Sequence, residues 1–346
     1  MAKNIQEAFI EFNKTIKLDI EENKSLADKR DMLTKELNAY LKKLKDDKGL
    51  SLSFTSKNQG SYAMGTGIEP LLGEDYDIDV MILFDIKANE HKAKDIKKIV
   101  FDALDKYPRT TTIKKPCVTV QYHQDGETKF HVDLAVYAKD QNATYLSKKP
   151  KYATDDEVWE VADPEALSNI IKNYNDDTEV RGQFRRSIRY LKRWKDLKFN
   201  SSSQGKPTGI AITAIALEGF KTTVKKHHDP ISNKTNYDID DLEALINLVK
   251  YFINRFDWFN EISVSLPVKP SNDLFKLMSS AQKKELKEKL KLLRDDLISA
   301  QNETDPNKAS LKLRLNRVLG EDFPEIPKEA TGQGRSKAII TPPDQA

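Results

Sequence analysis

Residues 59–84 read QGSYAMGTGIEPLLGEDYDIDVMILF, and the way this stretch divides decides the fold. Gly60 and Ser61 form a tight turn that opens into a short helical run. A turn-rich insertion follows, through Pro70 and Gly73. Asp77, Ile78 and Asp79 then begin an apolar run that continues to Phe84. Side chains two apart on a strand share a face, so Asp77 and Asp79 project together while Ile78 points into the core. Like charges held that close disfavour ionisation, and a divalent cation removes the penalty. Aspartate oxygens suit Mg²⁺, which keeps waters and takes substrate phosphates as its remaining ligands. Asp75 shares the two-residue period, but Asp77 and Asp79 flank Ile78 and abut the apolar run. Glu74 and Asp75 are therefore assigned to the exposed turn.

The Gly-Ser turn supplies the other half of a site. Backbone amides at a helix N-terminus bind phosphate, Ser61 adds a hydroxyl, and Gly60 lets the backbone approach closely. A phosphate cradle followed by a strand with paired aspartates describes a nucleotidyltransferase of the polymerase-β type. That chemistry takes a third carboxylate from a neighbouring strand, and residues 130–136, FHVDLAV, offer one. Phe130, Val132, Leu134 and Val136 alternate as a core face, which leaves Asp133 on the opposite face. A lone Gly-Ser or a lone Asp-x-Asp is common on protein surfaces. The order of the three elements carries the signal. Asp77, Asp79 and Asp133 are thus the candidate catalytic and metal-binding residues.

Composition bounds the rest. The chain has 346 residues, enough for two domains with sizeable cores. Charged residues make up 32% while the net charge is only +3, which disfavours a dedicated nucleic-acid binder. Cys117 is the single cysteine, so there is no disulfide framework and no cysteine zinc site. No apolar run approaches the roughly 20 residues of a membrane span, and the N-terminal MAKNIQEAF lacks an apolar signal core. A cytoplasmic location without membrane partners is expected.

The expected fold class is α+β: a polymerase-β-type nucleotidyltransferase core, with a mixed sheet packed on helices, and an all-helical C-terminal lobe. Residues 1–160 are read as the core with two N-terminal spine helices, 161–324 as the helical lobe and 325–346 as a flexible tail. Ile5, Phe9, Phe12 and Ile16 repeat at helical spacing. Ser25 with Asp28 resembles a capping box ahead of the stripe Leu26, Leu33, Leu37, Tyr40, Leu41 and Leu44. A short strand is expected over 52–55, a helix over 92–107, and two strands over 117–122 and 130–137 joined by an Asp125-Gly126 turn. Residues 145–163 are polar and read as an irregular crossover. Helices are then expected from Asp163-Pro164, over 179–197, 207–220, 242–259, 283–301 and 310–319. Residues 201–205 read as a flexible loop.

Other chemistry-bearing residues are weighed against blander roles. His123, His131, His227 and His228 lack metal-ligand spacing, and His131 is expected to point away from Asp133. Cys117 is expected in the core. The helix over 179–197 carries seven cations, Arg181, Arg185, Arg186, Arg189, Lys192, Arg193 and Lys195. Mutual repulsion within it favours either an anionic partner or acids from elsewhere in the fold. Lys192 is the best candidate for a triphosphate contact.

QGSYAMGT, YDIDV, HVDLAVY, RRSIRYLKRWKD and KPTGIAITAIAL together resemble the CD-NTase family, the bacterial relatives of cGAS and of oligoadenylate synthases found in CBASS anti-phage operons. By motif the resemblance covers roughly residues 50–220. It implies that Gly60 and Ser61 hold a donor triphosphate, that Asp77, Asp79 and Asp133 bind two Mg²⁺ ions with Mn²⁺ as a substitute, and that Lys192 reaches the triphosphate from the helical lobe. Thr208 stands where relatives place a serine or another polar group touching the phosphates. Gln59 matches a frequent glutamine beside the turn. The insertion between Ser61 and Asp77 is long for the superfamily, and the zinc module of vertebrate cGAS has no counterpart.

The implied activity joins NTPs, ATP and/or GTP, into a cyclic di- or trinucleotide second messenger with release of pyrophosphate. The implied partners are a downstream effector that reads the product, and a regulator or conjugation enzymes acting on the C-terminal tail. Alternative readings are a linear oligonucleotide or RNA-tailing nucleotidyltransferase, and a non-catalytic nucleotide-binding module.

Overall fold

A computed structural model describes residues 3–18, 24–115, 117–124, 127–140, 143–148, 158–199, 205–230, 233–315 and 318–326. In chain order the elements are α1 (Lys3–Ile16), α2 (Lys24–Lys48), β1 (Phe54–Asn58), α3 (Gly60–Ala63), β2 (Tyr76–Phe84), α4 (Ala93–Leu104), β3 (Thr110–Ile113), β4 (Val118–Gln124), β5 (Glu127–Asp140), β6 (Ala143–Lys148) and β7 (Val158–Val161). They continue with α5 (Pro164–Lys172), α6 (Thr178–Lys198), α7 (Gly209–Gly219), β8 (Lys225–Asp229), β9 (Lys234–Asp238), α8 (Asp241–Asn254), α9 (Ser280–Gln301) and α10 (Pro306–Arg314). Among the described residues no helix is long and apolar enough to cross a membrane.

The sheet runs β1-β2-β5-β4-β3, with β6 and β7 extending from β5. β2 and β5 pair in parallel and the remaining pairs are antiparallel, so the sheet is mixed. One face is the core expected from alternation. Ile78, Val80, Ile82 and Phe84 of β2 and Val132, Leu134 and Val136 of β5 are buried there with Leu33, Leu37, Leu41 and Leu44 of α2 and with Ile96 and Val100 of α4. The other face carries the odd-numbered side chains of β2, and they end in a small apolar cluster of Met81, Ala135, Tyr137 and Ala162.

α1 precedes the sheet in the chain but packs with the helices that follow it. Its Phe9 and Phe12 rings lie 5.2 and 5.4 Å from Tyr190 of α6, and 5.1 and 5.3 Å from Phe323. This helical core also holds the apolar α7 and the buried stripes of α8 and α9.

Several expectations change at their edges. α2 begins at Lys24, ahead of Ser25, so Ser25 lies inside the helix and not at its cap. Parts of the 145–163 stretch expected to be irregular are paired strands, β6 and β7. α8 stops at Asn254, short of 259, because the Asp257 carboxylate accepts the Phe259 and Glu261 amides and closes a turn. α10 starts at Pro306 behind an Asp305 cap, four residues earlier than expected. The helical lobe is interrupted, among the described residues, by the β8–β9 hairpin. Glu325 and Ile326 are still held, through Arg314 and Asn307. The Asp125-Gly126 turn, most of the 201–205 loop and residues 327–346 of the expected tail lie outside the described residues.

Candidate active site

The parallel register of β2 and β5 sets Asp79 beside Asp133 and Asp77 beside His131. Ile78 is 1% exposed between the two aspartates, as alternation requires. All three expected carboxylates therefore project from one sheet face. On β4, Thr119 lies opposite Asp133. Its buried hydroxyl donates to Asp133 Oδ1 at 2.5 Å, and Lys114 Nζ stands 3.9 Å from the same oxygen.

His131 departs from its expected orientation. Residues 131 and 133 are two apart, so alternation puts them on one face and not on opposite ones. His131 Nε2 lies 3.2 Å from Asp77 Oδ1. The bond to Asp77 raises the imidazole's pKa against the opposing effect of burial. One donor atom each from Asp77, His131 and Asp133 lie within 4.8 Å of one another. Asp79 faces instead toward the Gly-Ser turn.

That turn is built around Gly60. Its φ is +64°, in the left-handed region where a side chain is costly. A Cβ there would lie 1.8 Å from Asp79 Oδ2. The Gln59 amide donates to the Asp79 carbonyl at 3.0 Å, which ties the turn to the strand. Ser61 and Gln59 line the same cavity as Asp77 and Asp79. This cavity, about 670 Å³, lies between the sheet and the helical lobe.

The helical lobe contributes Lys192, Lys195, Lys206 and Thr208 to the cavity wall. Lys192 is 5% exposed, and its ammonium donates to the Thr66 carbonyl at 2.9 Å and to the Thr66 hydroxyl at 3.2 Å. Thr208 caps α7 by accepting the Ala211 amide at 3.3 Å. Gly209 packs against the Lys192 side chain, where a Cβ would lie 3.4 Å from its Cε. Lys195 belongs to the basic face read from the sequence, whereas Thr66, Thr119 and Lys206 are not among the expected site residues. No local pattern marks the two threonines, because cross-strand register and lobe packing choose their partners.

Two groups in this cavity are far from their ordinary pKa values. Burial, then the Asp77 and Asp133 charges, push the Asp79 carboxyl up to about 7. Burial, then Lys195 and Arg189, bring the Lys192 ammonium down to about 7. The Lys192 and His131 charges offset only part of the shift at Asp79, and the Asp196 and Asp79 charges only part of that at Lys192. A divalent cation held with a phosphate would satisfy both. The acidic donor set fits such a metal, with Asp77 and Asp133 offering oxygens and His131 a nitrogen.

The remaining cations of α6 have protein partners. Arg186 forms two hydrogen bonds, 2.7 and 3.0 Å, with buried Asp241. Arg189 bonds Asn13 at 2.8 Å and the Gly65 carbonyl at 2.5 Å. Arg185 donates to the Lys172 carbonyl at 2.7 Å, and Arg193 lies 3.2 Å from Asp322. Cys117 is buried, which pushes its thiol up to about 12.

The family described as Cyclic GMP-AMP synthase DncV-like, nucleotidyltransferase domain, matches residues 55–137. A cyclic GMP-AMP synthase of Escherichia albertii is 29% identical over 177 residues, 49% of this chain; the chain spans 38% of that curated relative. The apo form of Vibrio cholerae DncV superposes with a TM-score of 0.68 at 17% identity, covering 92% of this chain and 95% of that one. The same enzyme in complex with the linear intermediate 5′ pppA(3′,5′)pG gives 0.66 at 16%, covering 90% and 93%. The matched segment begins in β1 and ends in β5, and so takes in the Gly-Ser turn and all three aspartates. Over these residues the chain is similar to the DncV-like nucleotidyltransferase domain, and over most of its length it shares the fold of DncV.

Proposed function

We propose that this chain is a metal-dependent nucleotidyltransferase that joins NTPs, ATP and/or GTP, into a cyclic di- or trinucleotide second messenger. Its product would act on an effector in cytoplasmic anti-phage defence. The observation that carries the reading is the presence in one cavity wall of a buried acid, Asp79, and a buried ammonium, Lys192, both displaced from their ordinary pKa values chiefly by burial. Perturbed groups of opposite sign facing one cleft mark a functional site, and these two complement a nucleotide bound with its metal.

Asp77, Asp79 and Asp133 would hold the metal, with Mg²⁺ as the physiological ion. When bound, such ions supply charge neutralisation around the α-phosphate and a more acidic acceptor hydroxyl. The Gly60-Ser61 turn and Ser61 hydroxyl would hold the donor phosphates, with Gln59 and Thr208 at the cavity wall. Lys192 would exchange Thr66 for a phosphate oxygen. Thr119 fixes the rotamer of Asp133, which would receive the proton of the attacking hydroxyl. Positioning and electrostatics then carry most of the rate.

The test incubates purified protein with all four NTPs and Mg²⁺ or Mn²⁺, followed by phosphatase and mass spectrometry, beside Asp79→Asn. A phosphatase-resistant cyclic species absent from the variant supports the reading. Linear products, or none from folded protein, would overturn it.

A further inference from the structure

A site made only of aspartates would offer a metal oxygen alone. On the sheet face that carries Asp77, Asp79 and Asp133, however, the side chain beside Asp77 is an imidazole. Its Nε2 is 3.2 Å from Asp77 Oδ1, and both atoms stand with an Asp133 oxygen inside a 4.8 Å span. Two adjacent ligands on an octahedral ion with bonds near 2.1 Å are separated by about 3.0 Å, and opposite ligands by about 4.2 Å. The Asp77–His131 spacing is thus that of two neighbouring donors on one ion. Asp133 is held in place on the far side by Thr119.

We propose that His131 is a nitrogen ligand of the active-site metal, which makes this a mixed oxygen–nitrogen site that favours a first-row transition cation such as Mn²⁺ over Mg²⁺. The inference rests on the nucleotidyltransferase reading and deepens it by naming the ion. Imidazole nitrogen binds transition cations well, whereas Mg²⁺ selects hard oxygen donors and gives up water reluctantly. The nitrogen donor therefore adds more to Mn²⁺ binding than to Mg²⁺ binding. The remaining coordination positions stay with carboxylates, phosphate and water, so Mg²⁺ still enters but with less advantage.

The test is pulsed electron paramagnetic resonance of the full chain loaded with Mn²⁺ and a non-hydrolysable ATP analogue. Modulation from ³¹P reports the bound nucleotide, and modulation from ¹⁴N reports a directly bound imidazole. The expected result is both signals in the unaltered protein, loss of ¹⁴N alone in His131→Gln, and a Mn²⁺ affinity lowered roughly tenfold with a smaller change for Mg²⁺. The chain has five histidines. A second variant with His91, His123, His227 and His228 all changed to Gln keeps the ¹⁴N signal if His131 is its source, whether or not His131→Gln folds. A ³¹P signal without ¹⁴N, or ¹⁴N lost from the four-histidine variant, would overturn the nitrogen ligand and leave the nucleotidyltransferase site standing. Absence of both signals would remove both.

Discussion

Gly60 and Asp79 are packed so closely that a Cβ on residue 60 would lie 1.8 Å from Oδ2 of Asp79. The contact joins the two halves of the site, the turn proposed to hold phosphate and the strand proposed to hold metal. Gly60→Ala meets two costs. The φ of +64° is disfavoured by roughly 1–2 kcal/mol for an L-residue, and the Asp79 carboxylate must move away. The expected variant stays folded by circular dichroism, melts a few degrees lower, and loses about 100-fold or more in turnover, the scale of a 1 Å misplacement. Turnover within a few-fold of the unaltered protein would mean that this contact does not set the site.

Asp79 also makes stability depend on pH. Its carboxyl titrates near 7 when folded, against 3.8 when unfolded, so between these values the folded state binds more protons. The contribution is fully present below about pH 4 and is lost as pH rises through about 7. Asp79→Asn cannot ionise. Compared with the unaltered protein in EDTA, its melting temperature is expected to match near pH 4 and to be higher by pH 8. Excess Mn²⁺ should remove the advantage, because the cation compensates the aspartate. Thermal melts across pH, with and without metal, check both statements.

Lys192 is expected to bind nucleotide through charge. A hydrogen bond to a charged group contributes about 1.5–3 kcal/mol, so Lys192→Met should lower kcat/KM about 10- to 100-fold, chiefly through KM. The folded ammonium titrates near 7, below the ordinary 10.5. The folded state thus binds fewer protons between those values, and the charge costs stability most at and below pH 7. Lys192→Met should melt relatively highest there and lose that advantage toward pH 10.5. Lys192→Arg is not expected to restore binding, because Gly209 and Thr66 close around a single ammonium. Steady-state kinetics with pH-dependent melts separate the two effects.

How legible the molecule is from its sequence depends on the range of the forces involved. Alternation along β2 and β5 is local, so Ile78 buried between Asp77 and Asp79 is readable from spacing alone. The same rule reaches His131, provided that residues 131 and 133 are counted as two apart. Thr119 and Thr66 are not readable in this way, since β4–β5 register and the docking of α6 choose their partners. The stripe of α1 is plain in sequence, but its partner, Tyr190, is 181 residues from Phe9. Past the end of α8, the Asp257 carboxylate accepts the Phe259 and Glu261 amides, and this turn competes with helical periodicity. The positive face of α6 reads as an anion site until Asp241 and Asp322 arrive from later in the chain.

Arg186 and Asp241 give the sharpest test of that last point. Asp241 is fully buried and receives Arg186, the Tyr190 hydroxyl at 2.9 Å and Gln183 at 3.2 Å. Removing the arginine leaves a buried carboxylate with part of its shell, which costs about 3–5 kcal/mol. At about 2–4 °C per kcal/mol for a chain this large, Arg186→Met should lower the melting temperature by roughly 10 °C. Replacing both partners with apolar residues, Arg186→Met with Asp241→Leu, should recover part of the loss, because no lone charge remains. Turnover at a temperature where the single variant is folded should stay within a few-fold of the unaltered protein. The opposite pattern, lost turnover with an unchanged melt, would return Arg186 to the anion-binding face that its sequence context offered.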